Sequence, residues 1–186
     1  HHADHGMRRG AASFIWKHKR DHLVVKLLTS KDPRVRHTGT MAIYCTFKRR
    51  PMPANRITDD MVKQLYSIIN DADESLWVVH DALRGLSLLS AEQIAPQVDR
   101  LLYWLDHEEW WLSAAAMLPL AQVAGDERFC RRILPAVGKI MARNTNVPRS
   151  SPVGKIFGGL KSATPEVRKL ALDVLATSYT DFPRAA

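Results

Sequence analysis

Basic residues are concentrated in the first third of this chain, where they could bind an anionic partner. Residues 1–56 contain thirteen Lys and Arg but three Asp and Glu, whereas the remainder contains fourteen basic and sixteen acidic residues. Clustered cations attract phosphates and carboxylates because pairing releases bound counterions. We predict a site for an anionic partner, an acidic protein or a nucleic acid, on Lys17, Lys19, Arg20, Lys48, Arg49 and Arg50. The alternative is a solvated face whose charges complement helix dipoles.

Tryptophan is the second residue type that could form a binding surface. The chain has five tryptophans, and an exposed indole can stack on bases or on a peptide. Trp104 and Trp110 lie in periodic apolar stripes, so core packing is predicted for both. Trp77 and Trp111 fall off these stripes and are the predicted aromatic contacts.

No motif for covalent or cofactor chemistry is found in the sequence. His1, His2, Asp4 and His5 are the residue types that could ligate a metal, but an ordinary terminal segment is the favoured interpretation. Residues 154–159 read Gly-Lys-Ile-Phe-Gly-Gly, which lacks the order of a phosphate-binding loop and a preceding strand. The two cysteines, Cys45 and Cys130, lie in apolar helical patterns and lack metal-ligand spacing, so buried reduced thiols are predicted. We therefore predict no catalytic residue, no metal ligand and no cofactor.

The elements that would position these residues are helices joined by short polar turns. Four times a turn rich in small and acidic residues separates two apolar helical runs, at residues 31–36, 71–76, 106–111 and 163–168. A helix, a tight turn and a second helix that recur at roughly forty-residue intervals are typical of a helical-hairpin solenoid. An additional helix is predicted for residues 128–143. Apolar and polar residues nowhere alternate over a sustained stretch, so no strand is predicted.

The second helix of each pair follows a size-graded template with offsets 0, +4, +7 and +8. In the first hairpin the template is Val35, Gly39, Ala42 and Ile43, and its small residues would let the neighbouring helix approach closely. The same template fits the later hairpins at Val78, Ala82, Gly85, Leu86; Trp110, Ala114, Met117, Leu118; and Val167, Ala171, Val174, Leu175. Asp21 and Thr58 are predicted N-caps of the helices that follow them.

No long linker or low-complexity tract divides the chain, so one domain is predicted over 1–186. Residues 1–7 are expected to be an irregular lead-in, and prolines 51 and 53 must interrupt the helices between the first two hairpins. The chain begins with His1 and not with Met, so we expect a fragment of a longer protein. No apolar run reaches the roughly eighteen residues of a membrane span, and no targeting signal is readable.

Two of the turns carry a family resemblance. Asp32-Pro33-Arg34-Val35-Arg36 and Thr164-Pro165-Glu166-Val167-Arg168 resemble the inter-helix turn of HEAT repeats, where an acidic or small residue and a proline precede Val-Arg. The resemblance covers most of residues 21–180 and weakens in the middle hairpins, where Val78-Val79 and Trp110-Trp111 replace Val-Arg. It implies an all-α fold, an α-solenoid of about four degenerate HEAT-like (armadillo-like) antiparallel helix pairs.

For function, the resemblance implies a non-catalytic protein-interaction or scaffold module whose partner is a protein. The basic N-terminal third would suit an acidic partner. A nucleic-acid-binding domain that uses the basic N-terminal third is the alternative, and a regulatory domain of a larger enzyme is a third. Trp77 and Asp81 are four residues apart, with Arg84 one turn further. This arrangement is loosely similar to the aromatic-plus-aspartate pair of HEAT-like DNA glycosylases, the least favoured variant.

Overall fold

The structure is a computed structural model that describes residues 2–44, 52–143, 152–160 and 163–180. Within these ranges the chain is α-helical and contains no strand, as the sequence predicts. None of the helices described there is both long and apolar enough to cross a membrane. The chain forms two compact units, His1–Leu89 (unit 1) and Ser90–Ala186 (unit 2). The single domain expected over 1–186 stays a prediction.

Unit 1 consists of a first helix followed by two antiparallel helix pairs. Its helices are α1 (His2–Lys17), α2 (His22–Leu28), α3 (Pro33–Ile43), α4 (Asp59–Asn70) and α5 (Leu76–Leu86), with a 3-10 turn at Ala54–Arg56. Helix α3 packs against α2, α1 and α5, and α5 packs against α4. Helices α1, α3 and α5 therefore form one layer, in which α3 is central.

The described residues of unit 2 form a third pair and four further helices. Its elements are α6 (Ala91–Ile94), a 3-10 turn (Ala95–Gln97), α7 (Val98–Leu105), α8 (Trp110–Leu120), α9 (Glu127–Arg143), α10 (Gly154–Gly159) and α11 (Pro165–Thr180). Helix α7 pairs with α8 as predicted. In the last predicted hairpin, α11 packs chiefly against α9 and α10 packs against α8.

Local sequence signals explain where the helices begin. Asp32 caps α3 by accepting a hydrogen bond from Arg34 N at 2.8 Å, and Pro33 follows at the first helical position, where its missing amide costs nothing. Thr58 caps α4 as predicted, through a hydrogen bond from Met61 N. Asp21 precedes α2 but makes no capping hydrogen bond, which corrects that prediction. Its carboxylate instead accepts from Arg56, with Nε at 2.9 Å.

Two further expectations need correction. Helix α1 begins at His2, so residues 2–7 are helical and not an irregular lead-in. Proline is absent from this stretch, and its one interior glycine, Gly6, costs only about 1 kcal/mol relative to alanine. Trp110, expected in the core, is 39% exposed.

The exposure of Trp110 reveals an error of register in the third hairpin. Val35, Val78 and Val167 are each the third residue of their helix, and the third residue of α8 is Leu112. Counted from Leu112, the template falls on Leu112, Ala116, Pro119 and Leu120, all of which are buried. The repeat is therefore more regular than the sequence alignment on Trp110 suggested.

Candidate functional site

A cavity of about 530 Å³ opens on the layer formed by α1, α3 and α5. Eight residues line it: Arg8 and Arg9 from α1, His37 and Met41 from α3, and Trp77, His80, Asp81 and Arg84 from α5. The lining residues of α3 are one helical turn apart, and those of α5 lie at i, i+3, i+4 and i+7, so each helix presents one face. We call this cavity the arginine pocket.

Asp81 is the central polar group of the arginine pocket. Its residue is 9% exposed, and both carboxylate oxygens contact imidazoles. His37 Nε2 lies 3.2 Å from Oδ2, and His80 Nδ1 lies 2.9 Å from Oδ1. Arg84 Nη1 is 3.9 Å from Oδ1, at the limit of an ion pair.

The protonation of this cluster follows from its hydrogen bonds. Burial alone would raise the pKa of the Asp81 carboxyl, but the hydrogen bonds to His37 and His80 outweigh burial and hold that pKa well below its usual range. Asp81 is therefore ionised at neutral pH and can only accept hydrogen bonds. His37 Nε2 and His80 Nδ1 must consequently carry the hydrogens, which fixes the orientation of both rings.

Guanidinium groups make the arginine pocket electropositive. Arg84 is held in place by the ring of Tyr44, whose centroid lies 4.2 Å from its guanidinium carbon. The Nε of Arg9 is buried and has no hydrogen-bond partner among the described residues. With Arg8, the lining carries three positive charges against the one negative charge of Asp81. The pocket therefore favours anions.

Trp77 supplies the apolar part of the arginine pocket. It is the second residue of α5 and is 60% exposed, as predicted from its place off the core stripe. Its ring meets His80 edge-on, with the centroids 6.4 Å apart. An indole held by a helix and open to solvent gives a large contact area at small entropic cost. Its role as a ligand contact stays a prediction.

The other predicted site residues lie elsewhere. Trp111 belongs to unit 2, is half-buried and donates its indole hydrogen to Glu109 at 2.8 Å. Of the exposed predicted cations, Lys17 is the last residue of α1, and Lys19 and Arg20 follow it. Lys19 has a φ of 52°, a left-handed conformation that a helix cannot continue through. Lys48, Arg49 and Arg50 fall outside the described residues, as does Cys45. Cys130 is a buried free thiol.

Arg36 joins neighbouring helix pairs. It donates to Glu74, with Nη2–Oε1 at 2.8 Å, and to the backbone oxygens of Ser30 and Lys31. The Glu74 side chain is 2% exposed, so this ion pair is largely desolvated. Arg168 holds the matching position in α11 but is exposed.

A second groove, of about 790 Å³, lies in unit 2 between α9 and α11. It is larger but has no aromatic side chain, and its charges nearly balance, with Glu127, Glu166 and Asp173 against Arg131 and Lys169. The arginine pocket combines net charge, an exposed indole and an ordered polar cluster, and is the stronger candidate. In the part of the chain that the structure describes, no group of three His, Cys, Asp or Glu could hold a metal ion.

Antiparallel helix pairs with these contacts define an armadillo- or HEAT-like α-solenoid. The chain is similar to the designed armadillo repeat protein YIII(Dq.V1)4CPAF in complex with peptide (KR)4, with 15% identity, 94% of this chain and 79% of that chain covered, and a TM-score of 0.63. It is also similar to the designed armadillo repeat protein YIII(Dq)4CqI, with 14% identity, the same coverage and a TM-score of 0.61.

At such identities the likeness shows the fold alone. No family model matches the chain, and no curated protein sequence matches it.

Sequence reasoning found part of the arginine pocket. The spacing of Trp77, Asp81 and Arg84 places them on one helical face, and the structure brings all three to the cavity. It missed His37 and Met41, because an isolated histidine and methionine carry no signal until helix packing places α3 beside α5. The i, i+4 spacing of this pair on α3 was the one usable hint.

Proposed function

We propose that this chain is a non-catalytic binding module that holds an acidic segment of a partner protein at the arginine pocket. The observation that carries the proposal is the exposed Trp77 beside three guanidinium groups on a layer of packed helices. Side chains fixed by helices lose little entropy when a ligand binds, so more of the contact energy becomes affinity. The cations Lys17, Lys19 and Arg20 would extend the same site along α1.

The charge of the pocket sets the chemistry of the partner. The peptide in the similar designed protein is (KR)4, which is basic. A pocket with net positive charge favours the opposite sign, so an acidic peptide is the expected ligand here. Arg9 and Lys17 are about 12 Å apart along the axis of α1, a length that a few extended residues span.

The test is binding of a labelled (Asp-Glu)4 peptide, measured by fluorescence anisotropy with (Lys-Arg)4 as the charge-reversed control. We expect (Asp-Glu)4 to bind and (Lys-Arg)4 not to bind. Arg84→Gln should weaken binding about tenfold, since a charged hydrogen bond contributes about 1.5–3 kcal/mol. Arg168→Gln, an exposed arginine of unit 2, is the matched control and should change nothing. Equal binding of both peptides, or of neither, would refute the proposal.

Trp77→Ala should separate binding from stability. We expect it to weaken (Asp-Glu)4 binding about tenfold, because a rigid aromatic contact is lost. Unfolding should change by no more than about 0.5 kcal/mol, since the side chain is 60% exposed. Tyr103→Ala removes a similarly exposed aromatic from unit 2 (56%) and should leave binding intact. A large loss of stability in Trp77→Ala would show that Trp77 is structural.

Nucleic-acid binding is the second candidate, because Trp77 could stack on a base beside the same arginines. A labelled single-stranded oligonucleotide that binds more tightly than (Asp-Glu)4 would favour it. The glycosylase variant has less support: both oxygens of Asp81 already accept hydrogen bonds, and three guanidinium groups oppose a cationic transition state. Excision of an alkylated base by the wild type, lost in Asp81→Asn, would restore that variant.

A further inference from the structure

The charges of the arginine pocket exceed what a carboxylate can neutralise. Arg8, Arg9 and Arg84 contribute three positive charges, and Asp81 contributes one negative charge. The hydrogen bonds from His37 and His80 already occupy both oxygens of Asp81, and the lining keeps two positive charges in excess. An aspartate or glutamate of a partner brings one negative charge, whereas a phosphomonoester brings about 1.5 to 2 at neutral pH.

Geometry favours the same group. Guanidinium is a planar fork of donors, and a phosphate offers three acceptor oxygens that several arginines can share. The Nε of Arg9 is buried and has no acceptor among the described residues, so Arg9 would contact a phosphate through the terminal nitrogens of its guanidinium group.

Resting on the proposed function, we propose that the arginine pocket binds a phosphorylated side chain of the partner segment. Arg9 and Arg84 contact the phosphate, while Trp77 and Met41 contact the apolar part of the segment. A phosphodiester carries one negative charge, so the pocket matches a phosphomonoester better than the backbone of a nucleic acid. Asp81 positions His37, His80 and Arg84 and is not itself a ligand contact.

The experiment compares three peptides that are identical except for one central residue, which is phosphoserine, glutamate or serine within an otherwise acidic sequence. Isothermal titration calorimetry should give an affinity for the phosphoserine peptide at least about tenfold higher than for the glutamate peptide. Arg9→Gln and Arg84→Gln should each abolish this preference. Arg168→Gln, the exposed arginine of unit 2, should retain it. Circular dichroism checks that each variant is folded.

The outcomes distinguish the two proposals. If the glutamate and phosphoserine peptides bind equally, the phosphate inference fails and the acidic-peptide function stands. If no acidic peptide binds, the proposed function itself fails. A phosphoserine preference that survives both Arg9→Gln and Arg84→Gln would also overturn the inference, because the phosphate would then lie outside the arginine pocket. The inference would also be overturned if an oligonucleotide displaced the bound phosphoserine peptide at a lower concentration than added phosphoserine peptide does.

Discussion

Asp81 is an anion in the lining of a cationic pocket, and its hydrogen bonds explain why it is tolerated there. A buried carboxylate is costly unless charge-assisted hydrogen bonds replace its hydration. His37 and His80 supply them from two adjacent helices, α3 and α5. The contact with His37 joins α3 to α5, and both contacts orient rings that line the pocket, so Asp81 contributes to stability and to the shape of the site.

Asp81→Asn should destabilise unit 1 by about 2 kcal/mol at pH 7, because one buried and one partly buried donor, on His37 and His80, lose a charged acceptor. The folded pKa of Asp81 is lowered, so its stabilisation is complete above the ordinary carboxyl pKa of about 3.9 and declines as pH falls below that value. Urea unfolding at pH 7 and pH 3 should therefore show a difference between wild type and Asp81→Asn that shrinks at pH 3.

The control for this prediction is Asp73→Asn, which changes an exposed aspartate in the turn before α5. It should alter stability by less than about 0.5 kcal/mol at either pH. A difference for Asp81→Asn that stays constant between pH 7 and pH 3 would contradict the assignment of Asp81 as a stabilising anion.

At the scale of the element, helix contacts depend on small residues at defined template positions. A Cβ added at Gly39 would meet Leu28 Cδ2 at 3.0 Å and Leu27 Cβ at 3.1 Å, both on the paired helix α2. At Gly85 the nearest atoms are at 3.4 Å or more, which is ordinary contact. Close approach of α2 and α3 therefore requires glycine at residue 39. The packing around residue 85 of α5 has room for an alanine side chain.

Gly39→Ala and Gly85→Ala should accordingly have opposite effects. Both gain about 1 kcal/mol of helix propensity, but Gly39→Ala also overpacks a contact whose partner, Leu28, is fully buried, at a cost of about 1–3 kcal/mol. We expect a net loss of about 1 kcal/mol for Gly39→Ala and no loss, or a gain, for Gly85→Ala. Urea denaturation measures both, and a gain for Gly39→Ala would contradict the packing argument.

The ion pair that joins neighbouring helix pairs gives a second prediction at this scale. Arg36→Ala should cost about 2–4 kcal/mol, because Glu74 would keep a buried charge without its partner. Arg168 follows Val167 in α11 as Arg36 follows Val35 in α3. Arg168→Ala should cost less than about 0.5 kcal/mol because Arg168 is exposed. Chemical denaturation of the two variants side by side is the measurement. Equal losses would mean that the Glu74 contact contributes nothing.

These helices also show what the sequence can and cannot specify. Asp32, Pro33 and Thr58 act within a few residues of themselves, so the starts of α3 and α4 are readable from local signals. The register of α8 cannot be read from local signals, because Trp110 and Leu112 are both apolar and only packing distinguishes them. The capping box of Ser90 and Gln93 at α6 carried a local signal that the apolar pattern obscured.

The residues of the candidate site also divide into those placed by local sequence and those placed by helix packing. Residues of α5 share a face by spacing alone, whereas Arg8, Arg9 and His37 reach the pocket through the contacts of α1 and α3, which no local pattern encodes. The capping prediction for Asp21 failed for a similar reason. Its carboxylate has a distant partner, Arg56, which provides stronger charge-assisted hydrogen bonds than the helix amides do.

At the scale of the whole molecule, charge is the property that most limits the choice of partner. Unit 1 contains fifteen basic and nine acidic residues, and unit 2 contains twelve and ten, so most of the net charge of +8 belongs to the unit with the arginine pocket. A field of this sign accelerates the approach of an acidic partner and weakens as salt screens it. The identity of the contacts is then decided within the pocket.

The salt dependence of (Asp-Glu)4 binding should therefore report how many charges the site neutralises. If two or three ion pairs form, the affinity should fall roughly 100-fold for a tenfold rise in salt, by analogy with counterion release. Arg84→Gln should lower the slope of log affinity against log salt by about one. Trp77→Ala should weaken binding at every salt concentration and leave the slope unchanged, since an indole contributes no charge. A slope near zero in the wild type would mean that the basic face does not bind the peptide, and a changed slope in Trp77→Ala would mean that the indole positions the arginines.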